Sequence, residues 1–117
     1  MFPRLEIGID CPDPDALAPF WCAALGYRRG AGDGYPYMDL VAPAPGLPVV
    51  FLQRVPEPKR GKNRVHLDLY VTDPAGVIAG LEERGAARVG PWVGAACDGF
   101  QVMADPAGNE FCVCAET

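Results

Sequence analysis

The chain has 117 residues, the size of one domain, and a formal charge of −5 that would repel a phosphate backbone. Half of its residues are apolar, but no apolar run approaches the length of a membrane span, so neither nucleic acid nor membrane is an expected partner. Its five cysteines include no Cys-x-x-Cys pair. The start, MFPRLEIGID, lacks the charged-then-apolar pattern of a signal peptide, and together these features predict free thiols in a cytoplasmic protein.

Along the chain, residues 6–14 (EIGIDCPDP) alternate as a strand does and end in Asp-Pro. Asp13 can cap the free N–H groups of a helix, and Pro14 suits the first helical position. Leu17, Phe20, Trp21, Ala24 and Leu25 then recur with helical spacing, and Gly26 offers a left-handed stop. Pro19 lies inside this pattern and predicts a kink or a loosened first turn. Residues 35–41 and 49–55 read as strands joined by the turn APAPGLP, and 28–34 as an uncertain short one. Residues 56–62 link this half to the next, and the basic residues Lys59, Arg60, Lys62 and Arg64 read as a solvated connection among Pro56, Pro58 and Gly61.

The pattern then repeats after sixty residues. Residues 66–74 (HLDLYVTDP) match 6–14, Asp73-Pro74 begins a helix with Val77, Ile78 and Leu81 inside, and Gly85 ends it. Strands follow at 87–89, 100–104 and 110–114, with 92–99 uncertain and the turn DPAGN between the last two. The expected fold is α+β: two tandem βαβββ modules, 1–58 and 62–117, forming one domain with a curved mixed sheet and helices on its outer face.

Alternation sorts the side chains. Leu5, Ile7, Ile9 and Cys11 share an apolar face, with Glu6, Gly8 and Asp10 opposite. In the second copy Val65, Leu67, Leu69 and Val71 oppose His66, Asp68 and Tyr70. Phe111 and Val113 suit the helix side, leaving Glu110, Cys112 and Cys114 with the polar set. Asp10, Asp68 and Glu110 read as a wet sheet face. His66, the only histidine, sits mid-strand in this reading at the repeat position of Glu6. Imidazole and carboxylate both ligate metals and move protons near neutral pH, which makes the two a candidate acid–base pair.

The order of these motifs, with VHLDLYVTDP opening the second copy and DPAGNEF before the last strand, resembles the glyoxalase-like branch of the vicinal oxygen chelate superfamily across the whole chain. That group includes glyoxalase I, extradiol dioxygenases, fosfomycin-type resistance enzymes and bleomycin-binding proteins. The resemblance implies metal ligands on the first strand of each module and on the last strands, four residues after the turn glycine. These positions fall on Glu6, His66, Cys112 and Val50, or on Phe51 or Gln53 if the first module's turn is longer. A thiol and an aliphatic group in place of two carboxylates depart from an oxygen-ligated centre. Cys112 then reads as a buried neutral thiol, and its alternative is a thiolate ligand.

The preferred expectation is a protein that binds a small organic molecule in a hollow between the modules, without the usual metal. Glu6 and His66 would be its acid–base pair, and Gln53, Asp68, Tyr70, Trp92 and Cys112 its lining, with Tyr35, Tyr37 and Phe100 as further aromatics. The alternative is a lyase, isomerase or dioxygenase with zinc, iron, nickel or manganese on Glu6, His66 and Cys112. A purely structural module is the third reading. Sheet edges that need covering predict a homodimer.

Overall fold

The computed structural model describes residues 3–116, so the outermost module bounds expected at residues 1 and 117 lie outside the described residues. The chain divides into two compact units, Met1–Pro58 and Lys59–Thr117. Each unit carries one helix and its own mixed sheet, of four strands in the first and five in the second. The α+β class and the repeated strand–helix–strands order therefore hold.

In the first unit, β1 (Glu6–Cys11) leads into α1 (Pro14–Leu25), followed by β2 (Arg28–Arg29), β3 (Tyr37–Val41) and β4 (Val49–Arg54). The strand order is β1-β4-β3-β2, with β1 parallel to β4 and the other pairs antiparallel. α1 starts where Asp13 Oδ1 accepts from Ala16 N, and it ends at Gly26, whose φ of 71° is open to glycine without strain. Tyr27 N donates back to Cys22 O at 3.1 Å and closes the C-terminal turn. The loosened first turn expected from Pro19 is not found, because Leu17 N donates to Asp13 O at 3.1 Å and the helix runs on through the proline. Pro19 is exposed, so water can reach the carbonyl that its missing N–H leaves. Leu17, Phe20 and Trp21 from α1 are buried with Met38, Leu40, Val50 and Leu52 from β3 and β4. This is the first unit's core.

The second unit repeats the plan with β5 (Asp68–Val71), α2 (Pro74–Glu83), β6 (Ala87–Arg88), β8 (Asp98–Ala104) and β9 (Glu110–Ala115), and inserts β7 (Val93–Ala95) against β8. β5 runs parallel to β9, as β1 does to β4. Asp73 caps α2 by accepting from Gly76 N at 3.1 Å. Gly85 N and Ala86 N close its other end on Glu82 O and Leu81 O. Ile78 and Leu81 join Met103, Phe111 and Val113 in the core, together with Gln101, whose amide donates to Gly90 O and Val102 O. Buried this deeply, an unbonded amide would be costly, so the two bonds are what allow a polar residue there.

Three expectations need correction. The strand expected to hold His66 at its middle begins at Asp68, so His66 precedes it. Val65, placed on the apolar face, is 83 % exposed, because the chain bends at Arg64–Val65 before the ladder starts. Leu5 likewise stands before β1 and is exposed.

Cap geometry gives a direct test. Asp73→Ala should lower the unfolding free energy by about 1 kcal/mol in urea titrations followed by circular dichroism, whereas Asp73→Asn, which keeps an acceptor, should cost only a few tenths.

Candidate functional site

The start of β9 is set by the turn before it. Asp105 Oδ1 accepts from Ala107 N at 2.8 Å and from Asn109 N at 2.9 Å, while Asp105 N donates to Asn109 O at 2.7 Å. Gly108 turns the chain at a φ of 91°. From this fixed start, β9 alternates Phe111 and Val113 toward one face and Cys112 and Cys114 toward the other.

Pairing then decides what meets the cysteines. Asp68 lies directly across from Cys112 and Tyr70 across from Cys114 on the β5 side. Val102 and Phe100 oppose the same two cysteines on the β8 side. Directly paired residues share a sheet face, so Asp68, Cys112 and Val102 form one row and Tyr70, Cys114 and Phe100 the next. Both cysteines are buried, while Asp68 and Tyr70 are exposed.

His66 joins this face although it precedes β5. Cys112 N donates to Leu67 O at 2.9 Å, which carries the ladder one residue past the strand and holds the segment close. His66 Nδ1 lies 2.7 Å from Asp68 Oδ1. One ligand-type atom each from His66, Asp68 and Cys112 lies within 4.8 Å of the other two. Burial, the Asp68 charge and a hydrogen bond to Asp68 push the Cys112 thiol up to about 11. Cys112 is therefore a neutral donor at physiological pH, not a nucleophile. Glu110 is occupied nearby: Lys62 Nζ binds its Oε1 at 3.0 Å, and that bond holds the carboxyl below its ordinary range. Lys62 is thus fastened to the second unit's sheet and is no free part of a linker.

The other residues singled out in the sequence have surroundings of their own. Glu6 belongs to the first unit, where it pairs with Arg4 at 2.9 Å and lines a concavity of about 410 Å³ with Leu47 and Val49. Gln53 is exposed on β4, across from Asp10 and Tyr37. Trp92 donates from Nε1 to Ala95 O and lines a separate concavity of about 310 Å³ with Asp73, Ile78 and Arg88, beside the start of α2. Val50, one position offered for the first module's last strand, is 2 % exposed and belongs to the core. The register instead makes Phe51 the counterpart of Cys112, since Phe51 pairs with Gly8 as Cys112 pairs with Asp68. A Cβ on Gly8 would meet the Phe51 ring, so the glycine is what lets the ring lie across the strand. Tyr37 packs edge-on against that ring, with centroids 6.2 Å apart.

The role of Asp68 as the hub of the cluster was not read from the sequence, although His-x-Asp on one strand face was the available signal. Its donor chemistry tests the divalent ion that the fold family implies. Magnesium and manganese take oxygen ligands, and one carboxylate with an imidazole and a thiol does not fit them. The same nitrogen, oxygen and sulfur donors do fit zinc.

Compared by sequence with curated proteins, the chain matches none. Residues 6–114 match the family described as glyoxalase-like domain. Among solved structures, the chain is similar to the bleomycin-binding protein of Streptomyces verticillus complexed with copper(II)-bleomycin, at TM-score 0.64 and 20 % identity over 100 % of this chain and 98 % of that one. It is similar to the fosfomycin resistance protein FosX of Listeria monocytogenes, a mutant complexed with Mn(II) and 1S,2S-dihydroxypropylphosphonic acid, at TM-score 0.78 and 11 % identity, covering 100 % and 93 %. A glyoxalase/bleomycin resistance protein/dioxygenase family enzyme of Burkholderia phytofirmans PsJN gives TM-score 0.72 and 14 % identity, covering 92 % and 94 %. At these identities the likeness is one of fold.

The Asp68–Cys112 contact predicts a pH effect with a fixed sign. A carboxylate that accepts the thiol proton and repels the thiolate raises the thiol's pKa, so Asp68→Asn should lower it. Alkylation of Cys112, followed by tandem mass spectrometry with exposed Cys97 as reference, should become several-fold faster at neutral pH in that variant.

Proposed function

We propose, from the premise that this chain belongs to the glyoxalase-like domain family, that it binds a small organic molecule on the second unit's sheet face through His66, Asp68, Tyr70 and Cys112, without an oxygen-ligated metal centre. One observation carries the reading: an imidazole, a carboxylate and a thiol converge within 4.8 Å beside exposed aromatic surface. Such a surface suits an organic ligand that offers a flat ring and one or two oxygens. Tyr70, 62 % exposed, supplies ring area and a hydroxyl, and half-buried Phe100 continues the apolar part.

The imidazole–carboxylate pair gives the face its polarity. Asp68 accepting from Nδ1–H leaves Nε2 with a lone pair to receive a ligand hydroxyl, and it also orients the ring. In this reading Asp68 takes the place expected for Glu6 as the partner of His66, because the 2.7 Å separation puts it in hydrogen-bond contact. The solved structures similar in fold hold bleomycin or a phosphonic acid, which supports a ligand-binding role for this fold without naming a ligand here.

Thermal melting across a library of aromatic and carbonyl compounds tests the proposal. A ligand at one hundred times its Kd stabilises the native state by about 2.7 kcal/mol, enough to raise the Tm by several degrees. The shift should fall sharply in Tyr70→Ala and His66→Ala. A library that shifts nothing, or shifts that survive in both variants, would overturn the reading.

A further inference from the structure

We infer that the second unit carries a further binding site, in the concavity beside the start of α2, for a small organic cation: an alkyl or aryl ammonium held between the indole of Trp92 and the carboxylate of Asp73. None of His66, Asp68, Tyr70 and Cys112 lines this concavity, so the site is separate from the face described above.

The concavity of about 310 Å³ has two walls. One is the first turns of α2, with Pro74, Ala75 and the buried Ile78, and the other is the β7–β8 hairpin and its approach, with Trp92 and Ala96. The hairpin itself holds Trp92. The indole Nε1 donates to Ala95 O at 3.0 Å, and Gly99 leaves the space that the ring needs, since a Cβ there would collide with Nε1 and with Val93 O. With its one polar atom bonded inside the hairpin, the half-buried ring offers the concavity only carbon surface. Indole is the side-chain ring that attracts an organic cation most strongly.

Charge at the rim selects the same class. Asp73 and Asp13 hold equivalent places in the repeat, and each caps its helix, whose N-terminus offsets part of the carboxylate charge in both units. Asp13 also has an arginine: Arg54, paired with Cys11 at the end of the β1–β4 ladder, reaches it at 3.7 Å. The equivalent place in the second unit, across from Val71, is Ala115. Among the described residues, Asp73 therefore has no cation beside it. Its Oδ1 accepts from Gly76 N, while Oδ2 lies in the space that a Cβ on Gly76 would fill. Arg88, the cation in the lining, is matched by Glu82, which accepts from its Nε at 3.3 Å and its Nη2 at 3.5 Å. An anionic ligand would meet an uncompensated carboxylate here. An ammonium finds in that carboxylate the partner that Arg54 gives Asp13, and its carbon body covers Trp92 and Ile78.

The test uses the full chain and nitrogen-15 NMR of its two tryptophan indoles, those of buried Trp21 and half-buried Trp92. Phenethylammonium is the probe, with phenethyl alcohol and hydrocinnamate as its neutral and anionic counterparts. The Trp92 indole resonance should move saturably with the ammonium, while the Trp21 indole and the His66 ring stay in place. The alcohol should bind about threefold more weakly and the carboxylate more weakly still. Asp73→Asn, which keeps the helix cap, should weaken ammonium binding about two- to fivefold and leave the alcohol unaffected. Trp92→Leu, followed through the Ala75 amide, should weaken ammonium binding about fivefold. The inference is overturned by a Trp92 indole that does not respond, by equal affinity for the three probes, by unchanged ammonium affinity in Asp73→Asn or Trp92→Leu, or by His66 resonances that move with the probe.

Discussion

Across the parallel ladder that joins β5 to β9, the carboxylate of Asp68 stands opposite the thiol of Cys112, and the chemistry of the second unit depends on that register. A slip of one residue would bring Phe111 or Val113 opposite Asp68 and turn the cysteines into the core. Burial resists the slip: Phe111 and Val113 are 1 % and 0 % exposed, and each would lose on the order of 1.5–3 kcal/mol if turned outward. The turn at Asp105 resists it as well, since its side-chain bonds to Ala107 N and Asn109 N fix where β9 begins.

The two units show what a repeat can do after its copies diverge. Both place a first strand parallel to a last strand, and both start their helices with Asp-Pro. At the paired position where the second unit sets a carboxylate against a thiol, the first sets Gly8 against Phe51. The glycine makes room for the phenyl ring, and Tyr37 leans on it from β3. At this row one copy carries a carboxylate and a thiol, and the other a glycine and a phenyl ring on which Tyr37 leans from the neighbouring row. The backbone frame is common to both, and the difference in chemistry lies in a few side chains that the frame presents.

Much of the frame was legible in the sequence because its signals are local. Asp13-Pro14 and Asp73-Pro74 act through their own side chains and rings, and Gly26 and Gly85 through their own φ angles. The face sorting of Phe111, Cys112, Val113 and Cys114 needs only the pleat. What the sequence left open depends on partners far along the chain. The alternation of Val65, His66 and Leu67 looks like strand, yet pairing starts at Asp68, and the Glu110 carbonyl accepts from the Asn63 side-chain amide. The choice among Val50, Phe51 and Gln53 turned on a register set by β1 and β4 together. Asp68 reads in the sequence as a wet carboxylate or as part of a ligand's lining, and its contact with His66 and its place across from Cys112 come only with the fold. Glu6 and His66 match by repeat position, but the partner in hydrogen-bond contact with His66 is Asp68.

Because the chain has a single histidine, nitrogen-15 NMR of the imidazole reports on this cluster alone. The account predicts that at fixed pH the His66 ring resonances move in Asp68→Asn and again in Cys112→Ser, while Cys114→Ser leaves them nearly in place. Ring resonances identical to the unaltered protein in both Asp68→Asn and Cys112→Ser would contradict it.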